Sequence, residues 1–382
     1  MSHNPDFTQM TQAGFDDLVN KIMAASGAME HGGAYNKHAK LQASAFACAL
    51  PSWQRAVGRI ALNDGDGPIV IADYGSSQGK NSLAPMRVAT ETLRSRIGPN
   101  RPILVCHIDL AINDFNALFA VLRDDSDRYA SPNSNVYSCA VGRSFYETVL
   151  PPNHVHVGWS AYAAMWISRI PTLLRRHIFV PCATEVERFA FERQAAQDWE
   201  TFLSLRAKEL RPGGQLVVVV PGTGENGLSG FENIMNHANA VLVEMVEDGT
   251  ITAHEYERMV LGVWPRRRQD LVAPFASCRR FEDLVVESCE TSPLADAPWA
   301  EYQRNGNVAD LVNKHAAFYR ATFAPSLASS LRLAHEPETC RAFSESLEHK
   351  LRQRLVREPA PISSFVETIV LAKRAEPLAA SP

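Results

Sequence analysis

The run Gln215-Leu216-Val217-Val218-Val219-Val220 constrains this chain more than any other stretch. Four consecutive β-branched residues favour an extended backbone, and with apolar side chains on both sides of the pleat such a strand needs cover on both faces. The run follows a helical segment over roughly 185–210, and Arg211-Pro212-Gly213-Gly214 reads as that helix's stop. A doubly buried strand entered from a helix belongs inside a parallel sheet. Strand-like runs also occupy 69–72, which stops at Asp73; PILVCHID, which ends at Asp109; VYSCAV at 136–141; HVHVGWS at 154–160; and LVVESCE at 284–290. Helical stretches such as 83–97 lie between most of the first five runs. The alternation predicts an α/β fold, a doubly wound and mostly parallel sheet covered on both faces.

Composition removes several alternatives. The net charge is -4, from 38 Lys plus Arg against 42 Asp plus Glu, which provides no field to hold nucleic acid or an anionic membrane. No stretch approaches 18 consecutive apolar residues, and MSHNPDFTQM lacks a basic start and apolar run, so a cytoplasmic location is expected. Seven Cys without a C-x-x-C pair read as reduced thiols. Phe15, Leu18, Ile22 and Met23 suggest a short helix, and AYNKHAKLQASAFACAL a second one, ended by Pro51. Residues 223–275 interrupt the strand pattern with helical, aromatic-rich sequence and read as a cap, and beyond the last strand run the chain reads as helical until PLAASP. The expected division is 1–50, a gating segment; 51–222, the ligand-binding core; 223–280, the helical cap; and 281–382, the remaining strands and helices.

In open α/β sheets, ligands bind beyond the carboxyl ends of the strands, where Asp73 and Asp109 fall. Gly75 and Gly79 sit where a backbone can approach a ligand with no Cβ in the way, beside Ser76, Ser77 and Asn81. Asp109 is placed to accept hydrogen bonds from ribose hydroxyls. The turn Gly75-Ser76-Ser77-Gln78-Gly79 lacks the third glycine of a dinucleotide fingerprint, and Lys80-Asn81 breaks a P-loop. S-adenosyl-L-methionine remains as the nucleoside cofactor, although the turn alone equally fits a plain βα corner.

At these residues the chain resembles the SABATH family of carboxyl methyltransferases, and a bacterial-type member is expected. IADYGSSQGKNSL is similar to the family's I-A-D-L-G-C-S-S-G-P-N-[ST]-L, and IDLAINDFNALF to its N-D-L-P-x-N-D-F-N-x-[IL]-F. VGRSFYETVLPPNHVHVGWSAYAAMWIS and RAKELRPGGQLVVVVPG resemble the two motifs that follow, so that the likeness covers about 30–224. The resemblance implies a class I methyltransferase fold with an α-helical cap, and cofactor contacts from Asp73, Asn81, Asp109, Leu110, Ser144 and Phe145. It also implies that Tyr162, Met165 and Trp166 line a substrate pocket, with the Trp166 indole, read here as lying on a helix, donating to a substrate carboxylate. Phe231 and Trp264 are further candidates to enclose the substrate. A homodimer is implied as well.

Three departures stand in the N-terminal motif. His38, a candidate substrate contact, replaces a Tyr; Gln42 replaces a cofactor-contacting Ser; and Ala45 replaces the Gln that holds the carboxylate, so Gln42 is a candidate to supply the missing amide. In the pocket motif His-Ser-Ser-Tyr becomes Trp159-Ser160-Ala161-Tyr162. The expected reaction is methyl transfer from S-adenosylmethionine to the carboxylate of a small apolar or aromatic acid, giving a methyl ester. N-methylation of a small heterocycle and a catalytically silent cofactor-binding homologue remain open. No metal site is expected: His154 and His156 read as a hydrogen-bonded structural pair, and Arg266-Arg267-Arg268 as a solvated turn or a carboxylate or partner contact.

Overall fold

The structure is a computed structural model that describes residues 40–375 apart from 63, 64, 66, 132 and 278, with side chains from residue 47 onward. The chain alternates α1 (Lys40–Arg59), β1 (Ile69–Tyr74), α2 (Leu83–Ile97), β2 (Ile103–Asp109), α3 (Phe115–Asp124), β3 (Val136–Gly142), β4 (Val155–Ala161), α4 (Glu185–Glu209) and β5 (Leu210–Gly222). Helices α5 (Glu232–Glu247), α6 (Ala253–Arg258) and α7 (Arg268–Val272) follow. The hairpin β6 (Arg280–Phe281) and β7 (Leu284–Pro293) precedes α8 (Ala297–Asn305), α9 (Val308–Ala328), α10 (Pro337–Arg357) and β8 (Phe365–Lys373).

Alternation along the strands explains the two layers. Ile69 and Ile71 of β1 and Val217 and Val219 of β5 pack with Trp53, Val57 and Met86 of α1 and α2. Val70 and Ala72, with Leu216, Val218 and Val220, point the other way onto Trp199, Phe202 and Leu203 of α4. Period-two alternation of apolar side chains on both faces is what a doubly covered strand requires. The sheet order is β3-β2-β1-β4-β5-β8-β7-β6, with β1 to β5 parallel and β8 antiparallel to both of its neighbours. Strand order reverses between β1 and β4, so their carboxyl ends frame the switch point at which α/β sheets bind ligands.

Three expectations are corrected. Pro51 lies inside α1 and does not end it. The proline costs about 3 kcal/mol in a helix interior, whereas the buried Trp53, Val57 and Ile60 just beyond it return about 1.5–3 kcal/mol each. The Arg211-Pro212-Gly213-Gly214 segment is not a helix stop, since α4 ends at Glu209 and the segment belongs to β5. Gly213 adopts φ +76, its carbonyl accepts from the Ala61 amide at 3.0 Å, and a Cβ there would stand 2.4 Å from that of Ala61, so the glycine serves a strand irregularity packed on the end of α1. The third correction is β8, in sequence read as helical: FVETIVLAK fills the place between β5 and β7 and is almost wholly buried.

No helix among the described residues is long and apolar enough to cross a membrane. His38 lies outside the described residues, as do the 15–23 segment, the PLAASP terminus and the side chains of Gln42 and Ala45.

Candidate active site

The carboxyl ends of β1 and β2 build one wall. Asp73 is 2% exposed and is held through one oxygen: the Ser82 hydroxyl donates to Oδ2 at 2.6 Å and His107 Nδ1 donates to it at 2.9 Å. That assignment leaves His107 Nε2 to accept from the Tyr129 hydroxyl at 2.9 Å, and Tyr129 to accept from Ser138 at 2.6 Å. A directed chain of three donors, with Ser82 donating beside it, thus orients Asp73 from behind and leaves Oδ1 outside it. Asp109 is held differently. The Ser77 amide donates to its Oδ2 at 2.7 Å and the Leu110 amide to its Oδ1 at 2.8 Å, while burial pushes its carboxyl up to about 6 against those two bonds.

The turn between Asp73 and Asn81 is a cradle. Gly75 sits at φ +90, its amide donates to the Ile108 carbonyl at 2.8 Å, and a Cβ on it would lie 2.2 Å from Ala163 Cβ. The hydroxyls of Ser76 and Ser77 are buried and meet no partner among the described residues. Unpaired buried hydroxyls beside two acids, on a turn that admits no side chain at position 75, suit a polar ligand with both donors and acceptors. Asn81 lies in the single helical turn Lys80–Ser82 that closes the cradle.

The facing wall comes from the loop after β3. Phe145 packs on Tyr146 and Phe202 with centroids at 4.8 and 6.0 Å, and Ser144 Oγ accepts from the Tyr146 amide. A buried ion pair ties this loop down: Arg206 donates to the carbonyls of Phe145 and Glu147, Glu209 accepts from the amides of Val149 and Leu150, and the two side chains meet at 2.9 Å. Tyr74 also donates to Glu209 at 2.8 Å, so the loop is fastened to the end of β1. The i, i+3 spacing of Arg206 and Glu209 inside the R-A-x-E motif was the signal for this pair.

Tyr162, Met165 and Trp166 are brought together. They do not lie on a helix: the segment after β4 is irregular, Tyr162 has φ +58, and Trp166 forms an isolated bridge with Val263. The three line a small enclosed cavity of about 30 Å³ with Phe231, Met235, Phe318 and Phe323, of which the last two belong to α9. The indole N–H of Trp166 meets no acceptor among the described residues, although the ring is 7% exposed. The close approach of Gly75 to Ala163 sets the 75–79 turn against this segment. Trp264 is not brought into the cavity. Its amide donates to the Met165 carbonyl at 2.8 Å, but its side chain lines an open surface groove with Phe189 and Arg267.

The remaining sequence candidates resolve as follows. Arg266 is not solvated: it is 1% exposed, donates to the carbonyls of Ala164 and Ala195, and lies 5.4 Å over the Trp199 ring. Arg267 pairs with Asp270 and Glu192. His154 and His156 do not pair with each other, because His154 faces the Pro152 carbonyl and the buried His156 Nδ1 accepts from the Val70 amide at 3.0 Å. No cluster of His, Cys, Asp and Glu fit for a metal occurs among the described residues.

A switch-point acid, a glycine cradle and a second acid closing the neighbouring strand, on a sheet ordered 3-2-1-4-5 with an antiparallel strand beyond, define a class I methyltransferase. The family model described as SAM dependent carboxyl methyltransferase matches residues 20–373, and the chain belongs to that family. It is 28% identical over 249 residues to methyltransferase LUC1 of Fusarium sp, covering 64% of this chain and 65% of that protein, slightly under two thirds of its length. Gibberellic acid methyltransferase 1 of Arabidopsis thaliana is 24% identical over 308 residues, 72% of this chain and 80% of its own. A solved structure of loganic acid methyltransferase with SAH has a TM-score of 0.71 at 21% identity, covering 91% of this chain and 98% of that one, a likeness of fold. These relatives come from fungi and plants, and the expectation of a bacterial-type member finds no support in them.

Proposed function

We propose that the protein transfers a methyl group from S-adenosylmethionine to the carboxylate of a small apolar or aromatic acid, releasing its methyl ester. The observation that carries this reading is the unpaired Trp166 indole N–H at an enclosed aromatic cavity, set against the Gly75 turn. Indole nitrogen is a donor only and suits an anion, while the rings of Phe231, Phe318 and Phe323 suit an apolar body. Bound S-adenosylmethionine supplies an electrophilic methyl group on a sulfonium. A carboxylate is already ionised near neutral pH, so the protein needs no general base. Its work is to orient one carboxylate oxygen and exclude water. Asp109 is suited to the ribose hydroxyls and Asp73, with the unpaired Ser76 and Ser77 hydroxyls, to the polar remainder of the cofactor. Ser144 and Phe145 edge the same site from the opposite loop, and Leu110 orients Asp109 through its amide.

Gln42 is proposed to supply the second carboxylate donor in place of Ala45, with His38 near the substrate. The test uses labelled S-adenosylmethionine with benzoic, gibberellic and loganic acids. A methyl ester releases its label in mild alkali; label that survives identifies N-methylation, and no transfer to any acid supports a silent homologue, the reading that the N-terminal departures favour. Trp166→Phe is expected to lower kcat/KM by about ten- to a hundredfold, the scale of a hydrogen bond to a charged group, and unchanged activity rejects it as the donor. A homodimer, which light scattering tests, and a cytoplasmic location, which fractionation tests, complete the reading.

A further inference from the structure

We propose that Tyr146 and Arg266 are positioning residues that hold Trp166 at a set distance from the cofactor loop, linking the cofactor and acid sites through one buried hydroxyl. The inference rests on the reading of Trp166 as the carboxylate donor.

Tyr146 directly follows Ser144 and Phe145, and its hydroxyl donates to the main-chain carbonyl of Trp166 at 2.7 Å, across 20 residues of sequence. The loop that carries Tyr146 cannot drift, because the buried Arg206 and Glu209 hold its backbone on both sides. The segment that carries Trp166 has two further anchors: Arg266 Nε donates to the Ala164 carbonyl at 3.0 Å, and Asp198 accepts from the Ser168 amide at 2.6 Å. Arg266 also lies beside the Tyr146 hydroxyl. A main-chain carbonyl only accepts, so the phenol hydrogen goes to the Trp166 carbonyl. Direction is thereby imposed on the bond. The Arg266 amide in turn donates to the Pro221 carbonyl at 2.9 Å, which fixes the guanidinium to the end of β5.

Rotation of the Trp166 backbone would swing its indole N–H away from any carboxylate presented to the methyl donor. The Trp166 amide donates to the Ala163 carbonyl at 3.0 Å and its neighbours bond to Gly262 and Trp264, while the bond from Tyr146 holds the Trp166 carbonyl and so adds the restraint on that peptide from the loop after β3. The loop residues proposed to contact the cofactor are Ser144 and Phe145, whereas the Tyr146 hydroxyl is engaged with the Trp166 carbonyl.

The test is Tyr146→Phe, which removes one oxygen and keeps the ring packing. The chain has six Trp, so an ¹⁵N spectrum of the indole groups has six resonances, and Trp166→Phe identifies one of them. In Tyr146→Phe that resonance is expected to shift and broaden while the adenosylhomocysteine affinity stays within about twofold. With the acid of the panel that wild-type protein methylates fastest, kcat/KM is expected to fall roughly three- to tenfold, the scale of one neutral hydrogen bond. In a Trp166→Phe background the same change is expected to cost nothing further. An unmoved Trp166 resonance overturns the proposal, as does a large loss of cofactor affinity or a full additive loss in the double variant. If Trp166→Phe alone leaves activity intact, the donor reading has failed, and the resonance still reports whether Tyr146 positions the segment.

Discussion

Gly75→Ala tests whether the 75–79 turn and the 162–166 segment, the proposed cofactor and substrate walls, are built as one unit. At φ +90 an alanine loses about 1–2 kcal/mol to backbone strain, whatever space surrounds it. The added Cβ would also stand 2.2 Å from Ala163 Cβ, where carbons prefer about 3.5–4.0 Å, so either the turn or the 162–166 segment must move by more than about 1 Å. Overpacking of that kind costs about 1–3 kcal/mol, and the two penalties act together. Removing the opposing methyl isolates them: in Ala163→Gly the nearest remaining atoms are the Cα of residue 163 at 3.5 Å and Phe145 Cε1 at 3.9 Å, both ordinary contacts. Urea unfolding of the wild type, both single variants and the double variant is therefore expected to show a favourable coupling of about 1–3 kcal/mol, leaving the backbone strain at position 75 uncompensated. Calorimetry with adenosylhomocysteine is expected to show affinity lost in Gly75→Ala and largely restored in the double variant. Additive stabilities, or a Gly75→Ala protein within about 0.5 kcal/mol of wild type, would refute the packing argument.

Two titrations give further tests. Ribose hydroxyls donate to a carboxylate, and burial has raised the Asp109 carboxyl to about 6, so adenosylhomocysteine affinity is expected to fall as pH drops through that value and to be level above about 7. Asp109→Asn should bind more weakly and with a flat profile over that range, and an identical slope in that variant removes Asp109 from the ribose site. His156 is pushed the other way, down to about 4 from 6.5, chiefly by burial, and its Nδ1 must stay unprotonated to accept from Val70. The unfolded chain takes up that proton first, so stability is whole above pH 6.5 and declines as pH falls toward 4, by on the order of 3 kcal/mol. His156→Gln keeps an acceptor without a titration, and urea midpoints measured across that window should decline less steeply in the variant; parallel declines would sink the assignment.

The alternating sheet was legible because its strands are interior. A run such as 215–220 has apolar residues on both faces and no other stable address, and the strands ending in Asp73 and Asp109 share that property. Residues 365–373 escaped because Glu367, Thr368 and Lys373 make FVETIVLAK look amphipathic, yet all three are buried. Two of them have distant partners: Glu367 accepts from Thr291, and Lys373 donates to Asn153 and to the carbonyls of Ala207 and Leu210. A polar residue whose partner is supplied by a distant strand or helix cannot be told from a solvated one by periodicity. Arg266 misled for the same reason, its acceptors being carbonyls about 70 and 100 residues earlier in the chain.

The site divides along the same line. The placement of Asp73, Gly75, Asn81 and Asp109, proposed above as cofactor contacts, was readable because strand ends and the turns after them are where an open sheet binds ligands. Tyr162, Met165 and Trp166 required a motif, since an irregular segment has no period to betray it, and the aromatic residues Phe318 and Phe323 that close their cavity come from α9, about 150 residues later. Trp264 shows the converse: an aromatic residue expected to enclose the substrate contributes its backbone to Met165 and turns its ring to another groove. The residues that sequence missed altogether, Tyr146, His107 and Tyr129, act through atoms that residue type does not announce, either a main-chain carbonyl or the back of an acid already in use. Recognition groups can thus be recognised by chemical type, while the groups that aim them are defined by contacts, and it is the aiming that a displacement without a general base depends on most.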